Sequence, residues 1–101
     1  MEKRLELQAL LESILGSENV YFQPPESLKM QYPAIVYKRD FASTQFAGNK
    51  PYQHTLRYMV TVIDRNPDSE IPHKIAMLPL STFTRFYTAD NLNHDVFSLY
   101  Y

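Results

Sequence analysis

Cysteine and tryptophan are absent from these 101 residues, and glycine occurs only at Gly16 and Gly48. Without cysteine there is no disulfide to staple the fold, no thiolate to hold a metal and no thiol nucleophile. With two isolated glycines there is no glycine-rich loop to cradle a phosphate. A surplus of charge is missing too: ten Lys and Arg stand against eleven Asp and Glu, a formal net charge of −1. Nucleic-acid binders usually concentrate a basic excess on one face, so composition does not pull this chain toward phosphate. No long apolar run is present, and Met1, Glu2, Lys3 and Arg4 lead into a charged amphipathic stretch. Export by a signal peptide and insertion into a membrane are therefore not expected, which suits a reducing cytoplasm.

What is present is an ordinary globular balance, 45% apolar and 21% charged, with an aromatic content of eight Tyr and six Phe. The length fits a single domain over residues 1–101, with one core and no linker. A chain of this size buries roughly 60 to 70% of its unfolded surface, a modest margin that a partner's surface would increase. Tyrosine, with an apolar body and a polar tip, suits both sheet faces and protein interfaces.

Leu7, Leu10, Leu11 and Ile14 fall at i, i+3, i+4 and i+7 with polar Glu6, Gln8, Glu12 and Ser13 between them, which predicts a helix over residues 2–15 stopped by Gly16. Val20, Tyr21 and Phe22 form a short strand-like run that Pro24 and Pro25 end. The run from Glu18 to Gln23 resembles the recognition sequence of the potyviral protease used to remove expression tags. Pro24 stands where that site has a small residue, and the run continues the surrounding pattern as native sequence. Residues 34–39, centred on Ile35, Val36 and Tyr37, read as a strand introduced by Pro33. Residues 40–53 hold Ser43, Thr44, Gly48, Asn49 and Pro51 without clean periodicity and read as a long hairpin loop.

Alternation over residues 54–64 predicts the central strand, with Leu56, Tyr58, Val60 and Val62 on one side and Thr55, Arg57, Met59, Thr61 and Ile63 on the other. The mixed character of the second side predicts full helix cover on one sheet face and partial cover on the other. After a turn at Pro67, Asp68 and Ser69, a short helix carries Ile71, Ile75 and Leu78 on one face, with Pro72 in its first turn and Pro79 at its end. Residues 82–89 and 95–101 complete the sheet, joined through Asp90, Asn91 and Asn93. The expected fold is α+β: a mostly antiparallel sheet of about four to five strands with the N-terminal helix and the second short helix packed on it.

Candidate chemistry is sparse. His54, His73 and His94 lie on three different elements, none at the spacing of a metal motif, and only His94 has an acid, Asp95, beside it. Ser81 and Ser98 could be combined with His94 and Asp90 on paper, yet neither serine sits in a nucleophile elbow. Lys38, Arg39, Lys50, Arg57, Arg65 and Arg85 alternate with acids and aromatics, a pattern weighed as a single-strand nucleic-acid platform and read instead as a solvated sheet face. No catalytic, cofactor or metal site is expected, and the chain is expected not to be an enzyme.

The segments Tyr21-Phe22-Gln23-Pro24-Pro25, Tyr32-Pro33-Ala34-Ile35-Val36-Tyr37, Tyr58-Met59-Val60-Thr61-Val62-Ile63-Asp64 and Phe97-Ser98-Leu99-Tyr100-Tyr101 together resemble the tail terminator, or tail-completion, proteins of long-tailed bacteriophages and prophages. The resemblance is one of pattern over nearly the whole chain. It implies a structural protein of the virion, assembled in the host cytoplasm, that forms a homo-oligomeric ring, commonly a hexamer, at the head-proximal end of the tail. Such a ring ends tail-tube growth and presents a surface for head–tail joining. The implied partners are the chain itself, the tail-tube protein and a head-completion or neck protein, with no cofactor, membrane or sequence-specific nucleic acid. By position, residues 41–52 are expected at a subunit or tube contact, through Phe41, Phe46, Lys50 and Tyr52. The alternatives are a head-side neck component, such as a head-closure or connector protein, and, from another class, a small nucleic-acid-binding module or nuclease.

Overall fold

A computed structural model describes residues 2–48 and 50–101, with the backbone alone described at 2, 43–47 and 50–54. The element order is α1 (Glu2–Leu15), β1 (Val20–Phe22), β2 (Ala34–Ala47), β3 (Lys50–Asp64), α2 (Ile71–Ala76), β4 (Ser81–Ala89) and β5 (Leu92–Tyr100). The strands form one five-stranded sheet in the order β1-β2-β3-β5-β4. This is the α+β architecture that the hydrophobic pattern predicts, with β3 at the centre.

Helix α1 ends where Gly16 takes φ +82°, a left-handed cap that donates its N–H to the Glu12 carbonyl at 2.8 Å. Leu7 and Leu11 from its inner stripe are fully buried against Val20, Ile35, Tyr37, Val60 and Val62, and Ile75 of α2 joins the same cluster. A polar tie crosses this layer. The Tyr37 hydroxyl donates to Gln8 Oε1 and accepts from Arg4 Nη1 at 3.3 Å, while Gln8 Nε2 donates to the Val20 carbonyl at 3.0 Å. Burial raises the Tyr37 pKa, with Arg4 pulling the other way, so the phenol stays a neutral donor to Gln8.

Four details depart from the sequence expectations. First, β1 pairs with β2 in parallel, Val20 opposite Ile35, instead of through a hairpin. Residues 23–33, with three prolines among them, are a crossover that returns the chain in the same direction. Second, both helices lie on one face of the sheet; the other face carries no helix. There Ile63 and Val96 are still buried, at 5% and 2% exposure.

Third, residues 40–47 and 50–53 are strand and not loop. β2 and β3 run on through them as a paired ribbon, from Phe41 opposite Arg57 to Ala47 opposite Lys50. The periodicity was obscured by two register shifts, between Arg39 and Phe41 and between Gln45 and Phe46, because each extra residue switches the side on which side chains emerge. Fourth, β5 starts at Leu92 and not at residue 95. Asp90 and Asn91 take φ +54° and +62°, so a two-residue turn lets Ala89 pair at once with Leu92.

The ribbon projects from the body. Pairing between β3 and β5 ends at Arg57 opposite Tyr100, and the Leu56 carbonyl still accepts the Tyr101 N–H at 3.2 Å; beyond Leu56, β2 and β3 pair only with each other. The molecule measures 51 × 24 × 23 Å and has a radius of gyration of 14.6 Å, against about 13 Å for a compact domain of this length.

Candidate assembly surfaces

The sheet has two edges of very different character. β1 is three residues long and is followed, after Gln23, by Pro24 and Pro25, which blunts that edge. β4 is nine residues long, contains neither proline nor lysine, and has no strand on its outer side. Its inner side pairs with β5 from Ser81 opposite Leu99 to Ala89 opposite Leu92. Large apolar side chains crowd this outer margin: Met77 is 72% exposed, Leu80 69%, Phe83 52% and Phe86 53%. Phe83 still touches the core, edge-on to Phe97 with ring centroids 5.5 Å apart. Leu80 adopts φ +61°, a left-handed conformation that costs a non-glycine residue roughly 1–2 kcal/mol. An open strand edge lined by exposed aromatics is a template for adding another chain.

The ribbon is fixed at its root. Asp40 is the extra residue of the first register shift, and its carboxylate accepts Arg57 Nε at 3.1 Å and Nη2 at 3.4 Å. The same guanidinium lies 4.8 Å over the Phe41 ring. Phe41 is thus an exposed aromatic at the ribbon's base. The side chains of Phe46, Lys50 and Tyr52 lie outside the described residues, while their backbone belongs to β2 and β3.

The helix-free face carries a third feature, a groove of about 270 Å³ whose walls include Val36, Met59, Thr61 and Val96 with Lys38 and Arg85 at its margins. Arg85 lies 5.1 Å over the Tyr87 ring, which stacks at 4.5 Å and 11° on His94. The sequence pattern offered no direct sign of this stack. It arises because Tyr87 and His94 are partners across the β4–β5 register.

Among the described residues the side chains considered for catalysis are not brought together; the side chain of His54 lies outside them. His94 and Asp95 are consecutive on a strand and face opposite ways: His94 lies under Tyr87, whereas Asp95 lies opposite Val62 on the helix side. The Ser98 hydroxyl is 3.3 Å from Thr84 Oγ1, and the buried Ser81 hydroxyl has no partner. Among the described residues no three His, Cys, Asp or Glu side chains cluster as metal ligands, and no helix is long and apolar enough to cross a membrane. A scan of protein-family models finds no match to the chain, and neither does a search of curated proteins.

Proposed function

We propose that this chain is a structural phage morphogenesis protein of the tail-terminator kind, a subunit of a homo-oligomeric ring that closes the head-proximal end of a tail tube. The observation that carries the proposal is the unpaired β4 edge with Phe83 and Phe86 exposed along it. An edge strand that stays solvated is normally shortened, charged or broken by proline. β1 is shortened and followed by prolines, whereas β4 keeps nine residues without proline, its one charge being Arg85 beside a register shift between Phe83 and Arg85. The projecting ribbon adds a second element, whose strands beyond Leu56 pair only with each other, and a two-stranded ribbon alone is marginal in water. A ring is built from one heterologous contact repeated about an axis, so each subunit needs two complementary surfaces and no catalytic pocket. In this proposal the ribbon and the β4 edge reach the tube and the head-side partner.

The proposal is tested by deleting the gene in its phage and imaging the tails by electron microscopy. Overlong tails are expected, whether or not they join heads. Tails of normal length left unjoined would point to a head-side neck component, and normal joined tails would overturn both assignments.

A further inference from the structure

The two broad faces of this subunit differ in charge in a way that fits one to the other. On the outer side of α1, opposite the buried Leu7 and Leu11, Leu5 is 58% exposed and Ala9 is exposed beside it. The carboxylates of Glu6 and Glu12 border this small apolar strip, with Lys3 at one end. Arg4, by contrast, is turned inward onto Tyr37 and Phe22. On the far side of the sheet the groove floor is apolar, and the cations at its margins are Lys38 and Arg85, both exposed. Among the described residues neither is in a salt bridge; the face's other arginine, Arg57, is already held by Asp40.

We propose that the outer face of α1 from one copy of this chain seats in the helix-free sheet groove of the next, with Leu5 and Ala9 against the half-buried Met59 and Val36 and with Glu6 and Glu12 toward Lys38 and Arg85. Glu6 and Glu12 are separated by about 9 Å of helix rise, and Lys38 and Arg85 by roughly 16 Å, three strand spacings across the sheet and two residues along it; the long flexible side chains on both faces span the difference. The donor and acceptor faces lie on opposite sides of the subunit, so the contact is heterologous and repeats. This inference rests on the ring reading and names its lateral contact. Two cations without a salt bridge among the described residues, on a chain of net charge −1, are a thin basis for phosphate, which favours a protein occupant over a nucleic acid.

The natural lack of cysteine allows a direct test. Ala9→Cys and Thr61→Cys variants are made separately, mixed at high concentration and oxidised, or bridged with a short bis-maleimide. Linked heterodimers are expected from the mixture and little linkage from either variant alone, while a chain carrying both substitutions forms a ladder of oligomers. A disulfide needs Cβ atoms about 3.5–4.5 Å apart, so linkage reports the seat itself. Adding K38E and R85E to the double-cysteine chain is expected to cut linkage at least tenfold, as is adding E6K and E12K. All four reversals together restore it, and thermal melts check that each variant is folded. Absence of heterodimer, equal self-linkage of either single variant, or linkage indifferent to the charge reversals overturns the contact. Protection of Cys at position 61 by a single-stranded oligonucleotide, without linkage, would assign the groove to nucleic acid instead. Overlong tails on gene deletion without linkage would leave the terminator reading standing and remove this contact; linkage with normal tails would do the reverse.

Discussion

At the scale of single residues, the polar groups inside the helix–sheet layer decide how α1 is held. Tyr37 sends its hydroxyl out of a fully buried ring to Gln8, and that contact sets the rotation of α1 over β2. Tyr37→Phe leaves the packing intact but orphans the Gln8 carbonyl and one donor of Arg4. A loss of about 1–2 kcal/mol is expected, visible as a lower midpoint in urea with an unchanged slope. Asp95 presents the opposite case. Burial against the helix side raises its carboxyl pKa, with His94 pulling the other way. The folded-state pKa then lies above the unfolded one, so the fold favours the protonated acid. Its contribution is full below the unfolded pKa and is lost as pH rises through the folded pKa. Asp95→Asn should therefore be more stable than the parent at neutral pH, with the difference vanishing on acidification. Melts across the carboxylate range check this, and an equal difference at all pH values would contradict it.

At the scale of elements, the β2–β3 ribbon is separable from the body. The buried core cluster lies on α1, α2 and the parts of the strands that form the five-stranded sheet, and Arg57 is the last β3 residue paired with β5. Replacing residues 43–55 with Asn-Gly would join Ala42 to Leu56, which already face each other across the ribbon, by a favoured two-residue turn. The shortened protein is expected to keep its stability within about 1 kcal/mol, because an isolated ribbon contributes little. Under the proposed function it should lose attachment to purified tail tubes in co-sedimentation. A large drop in stability would mean that the ribbon is part of the monomer's own core. The same variant has a second readout in small-angle scattering, where the radius of gyration should fall from the value set by the 51 Å long axis toward about 13 Å.

At the scale of the whole molecule, the amino-acid pattern by itself determined the helices, the strand order along the chain and which side of β3 enters the core. Leu7 and Leu11 at helical spacing, and Tyr58, Val60 and Val62 at alternating spacing, all entered the core, because burying a contiguous apolar stripe is a local choice with one favourable outcome. Gly16, Asp90 and Asn91 likewise marked positions of positive φ that their residue types tolerate. The extent of β2 and β3 could not be read in this way. A bulge at Asp40 breaks the alternation, and only the pairing partner across the sheet shows that the strand continues. Phe41, Phe46, Lys50 and Tyr52 were expected at a contact loop; tertiary pairing puts their backbone on a ribbon and leaves Phe41 exposed at its base. The exposed β4 edge, the parallel placement of β1 and the Arg85–Tyr87–His94 stack were likewise settled only in three dimensions. Each depends on which strand lies beside which, a long-range choice that no local spacing of residues encodes.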